Sequence, residues 1–216
     1  MAEPRFIAIE GPIGVGKTSL ARRLADRYGS ELLLEEAEAN PFLSGFYRDP
    51  RSKALQAQLF FLFQRINQLE SFGQSDLFGA TTRVADFLMA KDRLFAEVNL
   101  DSNELELYDQ VAEALQFAPP QPDLVVYLQA PVDTLLFRVA RRGINYEQQI
   151  SRAYLERLAE VYARFFHDYD ASPLLIVNAA SIDPVNNDEH FEMLAGEIDL
   201  ARSGRHFFNP LTSALA

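Results

Sequence analysis

Residues 11–18 read Gly-Pro-Ile-Gly-Val-Gly-Lys-Thr, a complete GxxxxGK[ST] loop, and no other feature limits the fold so tightly. The apolar run Phe6-Ile7-Ala8-Ile9 before it reads as a buried strand. Thr18 to Tyr28 after it reads as a helix, with Leu20 and Leu24 on one face and Gly29 as its stop. A loop at such a junction has a mechanical purpose. Gly11, Gly14 and Gly16 let backbone N–H groups turn inward around phosphate oxygens, and the helix N-terminus adds its positive dipole end. Lys17 can reach β- and γ-phosphates, the Thr18 hydroxyl can ligate Mg²⁺, and Ser19 stands beside them in the first turn. The chain is therefore expected to hold the phosphates of a nucleoside triphosphate such as ATP. The loop leaves the use of that phosphate open, since GTPases, ATPases, nucleotide kinases and regulatory binders all carry it.

The remaining pattern predicts a P-loop kinase-type α/β fold. Leu32–Leu34, Arg83–Phe87, Asp123–Gln129 and Leu174–Val177 are further short apolar strands, each separated from the next by helical sequence. Five such strands imply a parallel sheet with helices on both faces, a three-layer arrangement. Asn40-Pro41 reads as an N-cap followed by proline at the first helical position. Leu55, Leu59, Leu62, Ile66 and Leu69 follow at spacings of 4, 3, 4 and 3, an amphipathic helix. Helices are also expected at 90–98, 104–117, 134–142, 150–169 and 190–201. Nothing marks a boundary, so residues 1–216 are expected to form one domain. The tail from Ser203 to Ala216, with Phe207, Phe208 and Leu211, finds no place in the pattern and is expected to be peripheral.

Composition narrows the partners. A net charge of −11 repels DNA and anionic membranes on average, which points to a small-molecule nucleotide at a local site. The absence of cysteine excludes disulfides and thiolate metal sites. No apolar run approaches the roughly 20 residues of a membrane span, and MAEPRFIAIE lacks the features of a signal peptide. A cytoplasmic location is the expectation.

Glu35 ends the second strand, where a carboxylate could accept a proton from an attacking hydroxyl. The residues alone favour the plainer reading, in which Glu35, Glu36 and Glu38 merely complement the next helix's N-terminus. Four segments bear on the choice: LLLEEAEANPFLSGFYRDP, LQAQLFFLFQRINQ, VADFLMAKDRLFAEVNL and PDLVVYLQAPVDTLLFRVARRGINYEQQI. In this order they resemble the deoxynucleoside kinase family, in particular its bacterial deoxyadenosine and deoxyguanosine kinases, from about Arg5 to Val177. The resemblance implies ATP-dependent 5′-phosphorylation of a deoxynucleoside, with Mg²⁺, by a homodimer. It makes Glu35 the base for the 5′-hydroxyl, and Lys17, Arg138 and Arg142 the cations on the transferring phosphoryl group. It places Tyr47 and Glu147 at the sugar 3′-hydroxyl, Gln58, Arg65 and Asp92 at the base, and Asp86 with Thr18 near the metal. Deoxyadenosine, deoxyguanosine and deoxycytidine are the substrates implied.

Two residues depart from the family pattern. Phe87 and Ile144 stand where the family usually has arginine, and both lost charges would face the phosphates. They leave room for a weakened nucleotide-binding module. A thymidylate kinase is the other alternative, although it would need no strand-two base and no residue such as Tyr47.

Overall fold

The computed structural model describes residues 5–74 and 82–210. Leu211 and the rest of the tail lie outside the described residues, as do the first four residues of the chain. The strands are β1 (Phe6–Glu10), β2 (Glu31–Leu33), β3 (Arg83–Ala85), β4 (Leu124–Gln129), β5 (Leu174–Asn178) and β6 (Arg205–Phe208). They form one parallel sheet in the order β2-β3-β1-β4-β5-β6. The sheet thus has six strands where the sequence pattern suggested five. The extra one comes from the unplaced tail: Arg205–Phe208 pairs with Leu174–Val177 at the sheet edge.

Eight α-helices lie among the described residues: α1 (Lys17–Tyr28), α2 (Leu43–Arg48), α3 (Pro50–Gln74), α4 (Lys91–Asn99), α5 (Ser102–Ala114), α6 (Val132–Arg142), α7 (Arg152–Asp168) and α8 (Asp188–Leu200). None of the described helices is long and apolar enough to cross a membrane. Central strands are apolar on both sides because helices cover both faces. One face of the core joins Ile7, Ile9, Leu124, Val126 and Leu175 to α1, α6 and α8. The other joins Ala8, Val125, Tyr127 and Leu174 to α4 and α7. A third cluster packs α2, α3 and α5 together through Phe46, Leu62, Ile66 and Tyr108.

Local signals explain several boundaries. Asn40 does cap the chain, accepting from the Phe42 backbone N–H at 3.0 Å, but the residues after it form a turn and α2 starts only at Leu43. The proline at a first helical position is Pro50, at the start of α3. Asp101 opens α5 with a reciprocal capping box to Glu104, so this helix begins earlier than its apolar residues suggest. Strand β3 stops at Ala85, and Asp86 follows at the sheet's C-terminal edge, its backbone N–H donating to the Leu33 carbonyl at 3.1 Å.

Candidate active site

All the chemistry gathers where β1, β2 and β3 end, the edge at which open α/β sheets hold ligands. The phosphate loop turns there with Gly11 at φ 145°, Gly14 at φ 85° and Gly16 at φ 108°, all in the left-handed range. Contact reinforces conformation at two of them. A Cβ on Gly11 would lie 2.4 Å from the Leu128 carbonyl oxygen, and one on Gly14 would lie 2.8 Å from that of Leu135. Glu10, buried at the end of β1, fixes the loop's origin. It accepts from the backbone N–H groups of Gly11 (2.9 Å) and Leu88 (2.8 Å) and from the Tyr162 hydroxyl (2.9 Å).

Lys17 donates to the Gly11 and Pro12 carbonyls at 2.7 and 3.3 Å. Burial, and then the ammonium of Lys91, lower its pKa to about 8. The Thr18 hydroxyl donates to Asp86 Oδ2 at 2.5 Å, while Asp86 Oδ1 accepts from the Glu35 backbone N–H at 2.7 Å. Asp86 therefore links the phosphate loop to the end of β2.

Two clefts meet at the loop. One, of about 490 Å³, is lined by Lys17, Thr18, Glu35, Tyr47, Gln58, Arg65, Asp86, Lys91, Arg142 and Glu147. The other, of about 640 Å³, is lined by Gly14 to Ser19, Phe137, Arg138, Arg141, Arg142 and the segment 179–185. Gly14, Lys17, Thr18 and Arg142 belong to both. A further cleft of about 510 Å³, lined by residues of β4, β5, β6 and α7, has no carboxylate or cationic side chain in its wall.

In the first cleft, α3 fixes the segment that carries Glu35. Gln64 and Gln68 donate to the backbone carbonyls of Glu36 and Leu34 at 3.1 and 3.0 Å. Arg65 between them donates through both Nε and Nη2 to Glu35 Oε1. Glu36 and Glu38 are exposed, whereas the Glu35 side chain is turned inward. Burial alone would raise the Glu35 pKa. Lys91 and Arg65 outweigh it and hold the carboxyl far below the usual carboxylate range. The network continues inward: Arg65 pairs with Asp92, and the Tyr108 hydroxyl donates to Asp92. Burial pushes the Tyr108 phenol up to about 12, so it remains a donor. Gln58 is buried, and its Oε1 has no partner among the described residues.

The cleft's other wall holds the sugar-side candidates. Tyr47 stacks on Tyr146, with ring centroids 5.7 Å apart and planes at 12°. Burial raises the Tyr47 phenol well above its ordinary pKa. Glu147 is buried and accepts from Arg142 through both oxygens. The two arginines of α6 therefore differ. Arg142 lines both clefts, while Arg138 lines only the second and donates to the Val15 and Ala179 carbonyls at 3.1 and 2.8 Å. Arg138 thus ties the phosphate loop to the chain leaving β5.

Position 87 requires a correction. The pattern suggested that a residue here would face the phosphates, but the Phe87 side chain is fully buried. Ile144 does line the first cleft. Lys91 and Tyr108 were not singled out by the sequence. Lys91 follows the run Phe87-Leu88-Met89-Ala90, and a lysine ending an apolar run is the one cue that could have found it.

Residues 7–201 match the deoxynucleoside kinase family. The chain belongs to that family. It is accordingly an enzyme, a kinase that phosphorylates deoxynucleosides. It is 36% identical to a deoxyguanosine kinase of Bacillus subtilis (strain 168), over 89% of this chain and 95% of the relative. It is 30% identical to a deoxyadenosine kinase of Lactobacillus acidophilus, over 90% of this chain and 95% of that one. A deoxyadenosine/deoxycytidine kinase of B. subtilis is also 30% identical, over 89% and 91% of the two chains. Among solved structures, the deoxyadenosine kinase of M. mycoides with dCMP and dCDP superposes with a TM-score of 0.79 at 25% identity. That match covers 90% of this chain and 99% of the other. The α/β architecture with its parallel sheet is the one found in that kinase.

Proposed function

We propose that the chain transfers the γ-phosphoryl group of ATP to the 5′-hydroxyl of a purine deoxynucleoside or deoxycytidine. The carrying observation is the meeting of two clefts at the phosphate loop, with Gly14, Lys17, Thr18 and Arg142 common to both. A transferring group needs donor and acceptor on opposite sides of one set of cations. The second cleft would take ATP and the first the nucleoside.

Glu35 would accept the hydroxyl proton. Its low pKa makes it a weak base, which suits phosphoryl transfer because the nucleophile attacks through a loose transition state. Lys17 and Arg142 would neutralise charge on the transferring oxygens, with Arg138 holding the loop beneath them. Tyr47 and Glu147 would hold the sugar. Thr18 and Asp86 place a hydroxyl and a carboxylate oxygen together beside the loop, a hard-oxygen pair that fits Mg²⁺. When bound, the ion would neutralise phosphate charge. We further infer a single domain, a homodimer and a cytoplasmic location, as the family resemblance and the composition suggest.

Base selection would fall to Gln58, Arg65 and Asp92. Arg65 and Asp92 are paired to each other, so Gln58 is the member with an unpartnered acceptor. An amide that accepts from an exocyclic amine suits adenine, guanine and cytosine, whereas thymine has none. Phosphate transfer from ATP to the four deoxynucleosides and to thymidine monophosphate tests this reading. Thymidine is expected to have the lowest kcat/KM of the nucleosides. A thymidine value equal to the purines would remove the base assignment, and preference for the monophosphate would remove the 5′-hydroxyl as acceptor.

A further inference from the structure

Lys91 takes no part in the roles assigned above. The chain has three lysines, Lys17, Lys53 and Lys91, and two of them lie in this site. Lys91 is the first residue of α4, its side chain is 5% exposed, and its ammonium donates to Glu35 Oε2 at 2.7 Å. Burying an ammonium is costly unless it is paired and hydrogen-bonded. Buried ion pairs seldom add net stability over apolar residues, so stability does not account for a lysine at this position.

The two oxygens of Glu35 are used differently. Oε1 accepts twice from Arg65, which is itself fixed by Asp92 and, behind it, Tyr108. Oε2 accepts from Lys91. An ionised carboxylate oxygen has two acceptor sites. Arg65 therefore fills both sites of Oε1, whereas Lys91 takes one of the two on Oε2. A hydroxyl donating to the second Oε2 site would place its oxygen beside the Lys91 ammonium. The position is also close to the phosphate loop, because Lys17, Glu35 and Lys91 line the same cleft. Phe87, shortly before Lys91 in the chain, is buried and brings no charge to this position. The Lys91 ammonium also lies over the Phe95 ring, 5.4 Å from its centroid, a favourable cation–π contact.

We propose that Lys91 is a positioning residue for phosphoryl transfer, fixing Glu35 through Oε2 so that the attacking hydroxyl lies against a positive charge on the acceptor side of the phosphate loop. This rests on the reading of Glu35 as the group that receives the hydroxyl.

A double-mutant cycle on the full-length protein tests it, with kcat and both KM values measured for Lys91→Met, Glu35→Gln and the double variant. Thermal melts accompany each. Lys91→Met is expected to lower kcat by about 10²-fold, the scale of one lost preorganised donor, while KM for ATP changes little. The double variant should be no slower than Glu35→Gln beyond about twofold, because Lys91 acts through Glu35. Lys91→Arg, which keeps the charge, should recover much of the lost kcat. If Lys91→Met retains kcat while Glu35→Gln loses it, the proposal fails and the reading of Glu35 stands. If both retain kcat, that reading fails as well. Losses that multiply in the double variant would show Lys91 acting independently of Glu35 and overturn the positioning role. Should Lys91→Met not fold, Lys91→Gln takes its place, and a folded Lys91→Gln with wild-type kcat overturns the proposal.

Discussion

ATP should bind more weakly as the pH rises through 8, and the loss should belong to Lys17. Its pKa in the unliganded protein is lowered to about 8, first by burial and then by Lys91, against the opposing pull of Glu10, Glu35 and Asp86. The ammonium form alone attracts phosphate, so the apparent Kd equals the intrinsic value divided by the charged fraction. That fraction is about 0.9 at pH 7 and about 0.1 at pH 9 for a group titrating near 8, which weakens binding about tenfold across the interval. The ligand's own ionisation works in the opposite direction, because phosphate gains negative charge as pH rises. Stability gives a second reading with a defined sign. The unfolded chain holds the Lys17 proton up to the ordinary value of 10.5, so between about 8 and 10.5 it binds more protons than the folded chain. The contribution of Lys17 to unliganded stability therefore rises with pH in that window. Titration calorimetry with Mg·ATP from pH 7 to 9.5, at constant ionic strength in two buffers of different ionisation enthalpy, measures both affinity and proton uptake. Uptake should approach one proton near pH 9, and Lys17→Arg should abolish it. A Kd that is flat across the range, with no proton taken up, would refute the argument.

Two further outcomes follow from local geometry. Gly14→Ala should destabilise the protein and raise KM for ATP, because its Cβ would meet the Leu135 carbonyl at 2.8 Å and Val139 Cγ2 at 2.9 Å with φ at 85°. The backbone strain alone costs roughly 1–3 kcal/mol, and relief requires α6, with Arg138 and Arg142, to move away; melts and ATP kinetics on the variant check both effects. Phe87→Arg should not accelerate the reaction, because the side chain is fully buried. An unpaired guanidinium there should cost about 3–5 kcal/mol, equivalent to a Tm lower by roughly 10 °C. A melt beside the kinetic assay decides, and an unchanged Tm with a higher kcat would contradict the burial.

Much of this architecture is written in local chemistry. Strands β1, β4 and β5 are legible because burial on both faces demands uninterrupted apolar runs, and the phosphate loop because left-handed backbone at tight contacts demands glycine. Strand β6 is not legible. Arg205–Phe208 lies at the sheet edge with Arg205 and Phe207 exposed, so half its side chains carry no burial signal. The site divides along a similar line. Glu35, Arg65 and Asp92 could be placed from ordered motifs, but the sequence could not show that they form one connected network. Tyr108 enters it from α5, a helix otherwise largely exposed, where the tyrosine is the one fully buried side chain. Lys91 escaped for the opposite reason. A lysine at a helix start is ordinarily read as solvated, and only the packing of α4 against α3 and α7 brings its ammonium to Glu35 in the cleft. Each missed residue touches a residue that was found, and each does so from a different element. Motif reading recovers groups whose spacing along the chain is fixed by one loop or helix. Groups that hold those residues in place come from wherever the fold brings a suitable donor, and only the tertiary structure shows which donor that is.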